Sequence, residues 1–406
     1  MADIDRAKLV KYRQDGARQV MERLNLDLLV LTTFDNVRYV ADIRPFFVTG
    51  WMPNAIAVLA KSGDPFVLYP DEYVAPSPYW ADEGAALKDK YGWSHYTIFN
   101  PALVSDMYAE WLDWAFQKLG ITRGRVGLDS APWQWFVAFK QRLPNVELVD
   151  AQTELLKQRA VKSAEEITVL REAALASGEA VMRGLAVAKE GARDLDILGA
   201  AMGDAFRHNS EGDAFFPFLT CGPVRGGALY PENREIEKGD PVILDLGPII
   251  DGYMGDCMRV EYVGKPTNEF EDLYRAVYDC MYAGIKAARP GVKASSLDEA
   301  VRGVIRERGY PVHRFDSGHG VGLSCCELPI ILRADAYKQP GKLDLTLEPG
   351  MVFTLEPRLY KQISDDKFIQ ASLEEIILIT EGGCEVLTNN APFLDDLIDV
   401  QPTKYP

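Results

Sequence analysis

The second half of the chain carries one order of predicted elements twice, and this repetition restricts the fold more than any other feature of the sequence. Apolar residues recur with a helical period in two neighbouring stretches, strand-rich sequence follows, and the same series then begins again. The helical stretches lie at about 164–189, 194–210, 269–288 and 296–308, and the strand-rich stretches at 215–262 and 312–388. This order predicts an α+β domain built from two similar halves.

The first half of the chain has a different pattern, which is typical of an α/β unit of about 150 residues. A helical stretch at 5–24 precedes the apolar run LDLLVLTT, which is long enough for a buried strand and too short for a helix. Asp35 and Asn36 then offer an N-cap for a second helix. The runs NAIAVLA and PFVLYP, on either side of SGD, predict a hairpin.

A helix start signal marks the place where the two patterns meet. Ser163 is followed three residues later by Glu166, the spacing of a capping box that opens a long helix. No flexible Gly/Ser linker separates the two patterns, and a length of 406 residues suits two domains. We therefore predict an α/β domain of residues 1–158 and an α+β domain of residues 159–406.

Composition excludes several classes of protein. The chain has 44 basic and 60 acidic residues and a formal net charge of −16, so its surface repels the phosphate backbone of nucleic acids. No run approaches the roughly 20 apolar residues of a membrane span, and the first residues lack the apolar core of a secretory signal. The six cysteines show no CxxC spacing, which indicates reduced thiols in a cytoplasmic protein.

Two aspartates lie in neighbouring predicted strands of the segment PVILDLGPIIDGYMGDCMRV. Asp245 is inside an apolar strand, where a charge is costly unless it is paired or binds a metal. A two-residue turn centred between residues 250 and 251 would place Asp245 directly opposite Asp256. A turn at Asp251-Gly252 would need a β-bulge to restore that pairing. Facing like charges destabilise a strand pair, so we predict a cation between them.

Three further residues have the same combination of a metal-ligating side chain and a predicted strand. His319, one of only four histidines, lies in SGHGVG, where glycines permit the close approach of a bound group. Glu356 ends an apolar strand in LEPGMVFTLEP, and Glu374 opens another in ASLEEIILIT. Glu375 points to the opposite face, so we expect it to lie outside the ligand set.

Together these residues are two aspartates, one histidine and two glutamates on strands of one domain. Such an oxygen-rich set with a single imidazole suits hard or borderline divalent ions. The negative charges of the four carboxylates would be neutralised by two divalent ions. A pair of ions about 3.5–4 Å apart can hold a bridging hydroxide and activate it at neutral pH.

In order and spacing, these motifs resemble those of the dinuclear metallohydrolases of the pita-bread fold, which include methionine aminopeptidase, Xaa-Pro aminopeptidase, prolidase and creatinase relatives. The matching features are two Asp eleven residues apart, GHGxG, EPGMVxxxEP and LEExILIT, with KQRAVKSAEEITVLREA at the domain junction. The resemblance implies a pita-bread catalytic domain preceded by a smaller creatinase-type α/β domain, and a homodimer. It implies two divalent ions, commonly Mn, Co, Zn or Fe. Their ligands would be Asp245, Asp256, His319, Glu356 and Glu374.

Two histidines that peptidases of this family use are missing from the chain. The family pattern GHGxGLxxHExP has a second histidine seven residues after the metal-binding one, and that position is Cys326 here. A further histidine, expected some eleven residues before Gly239, is replaced by Ala228. In the family these histidines position the substrate and stabilise the tetrahedral intermediate, and losing such help costs orders of magnitude in rate.

Three functions fit a complete metal set without those histidines. We favour a hydrolase that cleaves a C–N bond, amide or peptide, in a small substrate or dipeptide, with the bridging hydroxide as nucleophile and Glu356 as proton shuttle. The second is a metal-dependent lyase, because DNVRYVAD and a GHGVGL run without the second histidine resemble the dimethylsulfoniopropionate lyases. The third is a non-catalytic binding protein on the same fold.

Several residues are candidates to replace the missing histidines in catalysis or to bind the substrate. The catalytic candidates beside Glu356 are His313, Tyr230 and Cys326. Arg225 and Arg358 offer the bidentate fork that binds a substrate carboxylate. Trp51 lies in the predicted loop RPFFVTGWMPNA, and in dimers of this fold such a loop can reach a neighbouring active site.

Overall fold

A computed structural model of the protein describes residues 3–43, 55–68, 90, 101–131, 133–223, 230–312, 316–365 and 367–391. The chain divides into two units, one from Asp5 to Arg159 and the other beginning at Ala160. Across these described ranges, no helix combines the length and the apolar character needed to cross a bilayer.

The first unit is a five-stranded mixed sheet with helices. Its strands are β1 (Leu28–Leu31), β2 (Ile56–Ala60), β3 (Phe66–Leu68), β4 (Gly124–Leu128) and β5 (Val146–Asp150). They lie in the order β3-β2-β1-β4-β5, with β1, β4 and β5 parallel and β2–β3 forming the predicted hairpin. The helices are α1 (Arg6–Arg23), α2 (Phe34–Ala41), α3 (Pro101–Lys118), α4 (Trp133–Arg142) and α5 (Gln152–Ala160).

Helix α2 begins at Phe34 with Thr33 as its N-cap, so the predicted N-cap at Asp35 or Asn36 was wrong. Asn36 is buried, and its amide donates to Oδ2 of Asp129 at 3.1 Å. The carboxylate of Asp35 accepts a hydrogen bond from Arg159. Because both side chains bind partners distant in sequence, neither is available to cap the helix.

The second unit repeats the predicted series of two helices and a sheet. The first half contains α6 (Ala164–Leu185), α7 (Asp194–Arg207), β6 (Phe218–Cys221), β7 (Pro241–Leu246), β8 (Ile249–Ile250), β9 (Tyr253–Met254) and β10 (Cys257–Tyr262). Strands β10, β7 and β6 form an antiparallel sheet in that order, and β8 pairs with β9. The predicted α+β class is therefore confirmed for this half.

The second half of this unit contains a corresponding pair of helices and a larger sheet. Its elements are α8 (Asn268–Ala287), α9 (Ala294–Glu307), β11 (Gly318–Gly320), β12 (Glu327–Ile331), a 3₁₀ helix (Ala336–Lys338), β13 (Val352–Leu355), β14 (Arg358–Gln362), β15 (Phe368–Ser372), β16 (Glu375–Thr380) and β17 (Gly383–Val386). The five-stranded sheet has the order β12-β11-β13-β16-β17, and β14 pairs with β15 as a separate ribbon. Apolar faces of α8 and α9 pack on these strands in one core.

Helix α6 begins at the predicted capping box. The backbone amide of Glu166 donates to Oγ of Ser163 at 3.2 Å, and the amide of Ser163 donates to Oε2 of Glu166 at 2.8 Å. The hydroxyl of Tyr253 donates to Oε1 of the same glutamate at 2.7 Å. The cap therefore also attaches the start of α6 to β9.

The hairpin that carries the two aspartates turns at Asp251-Gly252. Both residues have positive φ, 49° and 84°, as in a type I′ turn. Strand β10 pairs with β7 so that Met258 lies opposite Asp245, and β8–β9 keep the same register. The prediction that Asp245 and Asp256 face each other was therefore wrong. Because this turn needs no bulge, Asp256 lies diagonally across the hairpin from Asp245.

Candidate metal centre

The first two predicted ligands lie in the first half of the second unit. Asp245 belongs to β7, all of whose residues are buried, and is itself 5% exposed. Asp256 directly precedes β10 and is 2% exposed. Oδ1 of Asp245 is buried and has no hydrogen-bond partner among the described residues. A buried carboxylate oxygen in this state needs a proton or a cation.

His319 is the central residue of the short strand β11. A Cβ atom on Gly318 would lie 1.8 Å from the carbonyl oxygen of Thr354, and one on Gly320 would lie 2.4 Å from that of Leu328. The closely packed neighbouring strands, rather than a bound group, therefore account for these two glycines. Nδ1 of His319 lies 3.2 Å from the carbonyl oxygen of Gly320, which leaves Nε2 directed at the carboxylates.

The two glutamates lie at the ends of adjacent strands. Glu356 follows β13 and Glu374 precedes β16, and these strands pair antiparallel. Glu375 points away from the cavity and forms a buried ion pair of 2.8 Å with Arg259. The guanidinium of Arg259 also donates to the backbone carbonyl oxygen of Glu374 at 2.6 Å. Arg259 thus holds the backbone that carries one predicted ligand.

All five predicted metal ligands converge on one cavity of about 310 Å³. One side-chain ligand atom each from Asp256, His319 and Glu374 lie within 4.8 Å of one another. Nε2 of His319 is 3.7 Å from Oδ2 of Asp256 and 3.8 Å from Oε1 of Glu356. The cavity is also lined by Phe215, Phe218, Asp245, Asp316, Cys325, Cys326 and Arg358.

Burial sets the electrostatics of this cavity. Burial raises the pKa of Asp245 and of Glu374 well above their ordinary values, and neighbouring carboxylates raise both further. Burial also raises the pKa of Glu356 to about 7, although His319 and Arg358 oppose that shift. Without a cation these carboxyl groups favour the protonated form, so divalent ions can bind in exchange for protons.

The guanidinium of Arg358 is a positive charge in the wall of the carboxylate-rich cavity. Its side chain is 13% exposed, and Nη2 lies 3.4 Å from Oε2 of Glu356. The guanidinium has five N–H donors in a planar fork, so contact with Glu356 leaves donors for another acceptor. This geometry suits the binding of an anionic group that enters the cavity.

The remaining predicted residues have different outcomes. Cys326 lines the cavity. Tyr230 is 59% exposed, and its ring packs edge-on against Phe216 and Phe218 with centroid distances of 5.3 and 5.8 Å. It therefore lies beside the wall residue Phe218 rather than among the ligands. Three of the predicted residues lie outside the described residues, namely Trp51, Arg225 and His313.

Four wall residues were not predicted as part of the site, namely Phe215, Phe218, Asp316 and Cys325. The signal for the two phenylalanines was the aromatic run FFPF, which comes before the strand that carries Asp245. Asp316 lies three residues before His319 in the same motif. Sγ of Cys325 is 3.7 Å from Oδ2 of Asp256, and no local pattern indicates a contact between residues 69 positions apart.

Comparison with known proteins agrees with this fold. Residues 168–381 match the family described as Metallopeptidase family M24, and residues 13–161 match the Creatinase/Prolidase N-terminal domain. The fold and the two family matches thus define a metal-dependent hydrolase with the pita-bread fold. The chain belongs to metallopeptidase family M24, in its creatinase/prolidase branch. The resemblance predicted from the motifs is confirmed.

Curated relatives include two Xaa-Pro dipeptidases from Pyrococcus. The Xaa-Pro dipeptidase of Pyrococcus furiosus is 32% identical over 234 residues, which cover 57% of this chain and 63% of that protein. The match therefore spans less than two thirds of that relative. The Xaa-Pro dipeptidase of Pyrococcus horikoshii is 28% identical over 65% of this chain and 72% of that protein. The lyase and non-catalytic alternatives find no support in these comparisons.

Solved structures share the fold over nearly the whole chain. The prolidase from Pyrococcus horikoshii OT3 has a TM-score of 0.72 and 21% identity, and the match covers 93% of this chain and 97% of that one. The dipeptidase PepE from Mycobacterium ulcerans has a TM-score of 0.70 and 25% identity, with coverage of 94% and 96%. At 21% identity, the likeness to the Pyrococcus horikoshii prolidase shows the fold alone.

Proposed function

We propose that the protein is a dinuclear metal-dependent hydrolase that cleaves the amide or peptide bond of a small substrate, with dipeptides as the substrate class. The observation that carries this proposal is the convergence of three buried carboxylates, the partly exposed carboxylate of Glu356 and one imidazole on a single cavity. The names of the Pyrococcus relatives, which are Xaa-Pro dipeptidases, support the choice of substrate class.

The donor set fits divalent metal ions. Oxygen donors with one imidazole suit borderline ions such as Mn²⁺, Co²⁺, Zn²⁺ or Fe²⁺. The buried Oδ1 of Asp245, which has no hydrogen-bond partner among the described residues, is available as a ligand atom. We propose two ions, because the five carboxylates that line the cavity, when ionised, and the Arg358 guanidinium carry a net charge of −4, which two divalent ions neutralise. The proposed ligands are Asp245, Asp256, His319, Glu356 and Glu374.

When bound, the ions would supply Lewis-acid activation of the scissile carbonyl and of a water nucleophile. We assign proton transfer to Glu356, because it is the most accessible of the ligand carboxylates. Its side chain is 16% exposed, compared with 3% for the side chain of Asp256. Glu356 can therefore accept a proton from the nucleophile and deliver it to the leaving amine.

The remaining residues of the cavity would bind and orient the substrate. The Arg358 fork would hold the substrate carboxylate, and Phe215 and Phe218 would contact its apolar part. Cys326 would line the position of the missing histidine, and Tyr230 would contact substrate at the rim. Trp51, Arg225 and His313 remain predictions, as do the homodimer, the cytoplasmic location and the domain boundary between residues 158 and 159.

The experiment combines metal analysis with product analysis. We expect about two transition-metal ions per chain in protein purified without added metal or chelator, and hydrolysis of a dipeptide or amide into an amine and a carboxylate. Glu356→Gln should lower kcat by at least about 100-fold, since it removes both a ligand and the proton carrier. Glu381→Gln, on an exposed loop, is the matched control. Full activity without metal, or an alkene product, would overturn the proposal.

A further inference from the structure

We propose that Cys325 and Cys326, together with His319 and Asp256, form a second metal position that prefers thiophilic ions such as Zn²⁺ or Cd²⁺. One ligand atom each from His319, Cys325 and Cys326 lie within 4.8 Å of one another. Oδ2 of Asp256 is 3.7 Å from Sγ of Cys325 and 3.7 Å from Nε2 of His319. The inference rests on the proposed function in one respect, since His319 and Asp256 are also proposed ligands of the carboxylate position.

The spacing of these donors suits a tetrahedral ion. With bonds of about 2.3 Å to sulfur and about 2.0–2.1 Å to nitrogen or oxygen, the donors around tetrahedral zinc lie about 3.3–3.8 Å apart. The 3.7 Å between Sγ of Cys325 and Oδ2 of Asp256 is close to the about 3.6 Å of a sulfur–oxygen pair, and the 3.7 Å between Nε2 of His319 and the same oxygen is about 0.3 Å longer than a nitrogen–oxygen pair requires. Two thiolates, an imidazole and a carboxylate form a donor set that zinc accepts and that manganese does not favour.

An ion can reach this position without unfolding of the domain. Cys326 is exposed, Cys325 is partly exposed, and both line the cavity. Binding would displace two protons from the group formed by Cys325, Cys326 and His319, and would leave two thiolates and a neutral imidazole on the ion. The ion would also offset the repulsion between these thiolates and the Asp256 carboxylate.

His319 cannot serve the two positions at the same time. Its Nδ1 faces the carbonyl oxygen of Gly320, so Nε2 is the nitrogen available to a metal. The same Nε2 lies 3.8 Å from Glu356, a proposed ligand of the carboxylate position. An ion held by the cysteines therefore withdraws His319 from that position. An excess of thiophilic ions should therefore occupy the cysteine position and inhibit, even where the same ion at the carboxylates supports activity, whereas harder ions should occupy the carboxylates alone.

The test is a Co²⁺ titration of the full-length, metal-free protein followed by absorption spectroscopy. Bound thiolate gives a near-ultraviolet sulfur-to-cobalt charge-transfer band, which nitrogen and oxygen ligands do not give. We expect the band in the wild type and in Cys384→Ser, because Cys384 contacts Arg289 and Ile285 and does not line the cavity. We expect its loss in the double variant C325S/C326S, with Zn²⁺ affinity reduced at least about tenfold and Mn²⁺ affinity kept.

Two outcomes separate this inference from the proposed function. Cobalt bound without a charge-transfer band, or a band that persists in the double variant, would overturn the cysteine position and leave the carboxylate centre intact. A wild-type protein that binds no cobalt would overturn both proposals.

A second measurement needs no variant, in case the double variant does not fold. Iodoacetamide labelling of the wild type, read by mass spectrometry at Cys326, should slow at least about tenfold when Zn²⁺ is added, because a metal-bound thiolate is a poor nucleophile. Mn²⁺ should leave the rate unchanged. Equal rates with Zn²⁺ and Mn²⁺ would contradict the proposed position.

Discussion

The backbone amide of Glu374 donates a 3.1 Å hydrogen bond to the carbonyl oxygen of Met258, and this bond joins the two halves of the second unit beside the cavity. On its other side, Met258 pairs in register with Asp245. One backbone position thus sets the separation between a proposed ligand in β7 and another at the start of β16. Ligands held on paired strands keep their geometry better than ligands on loops.

Asp245→Asn should separate metal binding from stability. In metal-free protein, the variant should be more stable than the wild type by about 1–3 kcal/mol, because it removes a buried carboxyl group that lacks a hydrogen-bond partner for Oδ1 among the described residues. With Mn²⁺ at about 100 times its Kd, the free energy of unfolding should rise by about 2.7 kcal/mol in the wild type and should not rise in the variant. Urea unfolding with chelator and with Mn²⁺ measures both. The exposed Asp365→Asn is the control, and an equal gain from Mn²⁺ in both aspartate variants would contradict the ligand assignment.

Arg259→Met should destabilise the second unit and weaken metal binding. Arg259 and Glu375 are each 1% exposed, so removal of the cation leaves a buried charge and should cost about 3–5 kcal/mol. Loss of the hydrogen bond to the Glu374 carbonyl should also lower metal affinity by about 10–100-fold. Denaturant unfolding and metal titration give the two values.

The matched control for Arg259 is Arg171→Met, because Arg171 also pairs with a glutamate, Glu385, but at the surface. Arg171→Met should lower the free energy of unfolding by less than about 1 kcal/mol and leave metal affinity unchanged. If the two arginine variants had equal effects, the buried network would not be what positions Glu374.

Cys326→His should increase peptidase activity. The substitution restores an imidazole to the cavity wall at the position where the family pattern has one. One donor to a developing oxyanion is typically worth about 10²–10³ in kcat, and we expect a gain of at least about tenfold. Steady-state kinetics on a panel of dipeptides measures it. Cys326→Ala should show no gain, and equal rates in the two variants would show that imidazole at this position does not help.

Asp213→Asn should change how stability depends on pH. Burial raises the pKa of Asp213 from 3.8 to about 6, although the amide of Gly247 donates to it at 3.0 Å. The folded state therefore holds a proton that the unfolded state releases, so this group's stabilising contribution falls as pH rises from about 4 to about 6.

Relative to wild type, Asp213→Asn should gain about 2–3 kcal/mol of stability between pH 4 and pH 7 in metal-free protein. Urea unfolding at both pH values measures this difference. In metal-loaded protein the gain should shrink, since the ions offset the charge of nearby Asp256. A difference that does not vary with pH would contradict a raised pKa at Asp213.

The sequence predicted the class of the fold and five candidate ligands that line the cavity, because both appear in local sequence patterns. The helical periods and the Ser163 capping box gave the repeated helix pairs, which the structure confirms. The charge of Asp245 inside an apolar strand indicated a bound cation, and the structure places that residue in the cavity wall. Its role as a metal ligand remains a prediction.

What the sequence did not predict depends on contacts between distant residues. The register of the aspartate hairpin followed the Asp251-Gly252 turn, where two positive φ angles allow a tight turn without a bulge. The contact between Cys325 and Asp256 arises only when β11 and its following loop pack beside the hairpin. Likewise, Asn36 could not cap its helix, because Asp129 binds its amide across the sheet.

The division of the proposed ligands between the two repeated halves has a consequence for how the protein matures. Asp245 and Asp256 are translated before the second helix pair, whereas His319, Glu356 and Glu374 come after it. A nascent or truncated chain that ends between the halves therefore holds only two of the five groups. Because the proposed carboxylate centre needs all five groups, it can be completed only in a chain that has been synthesised past Glu374.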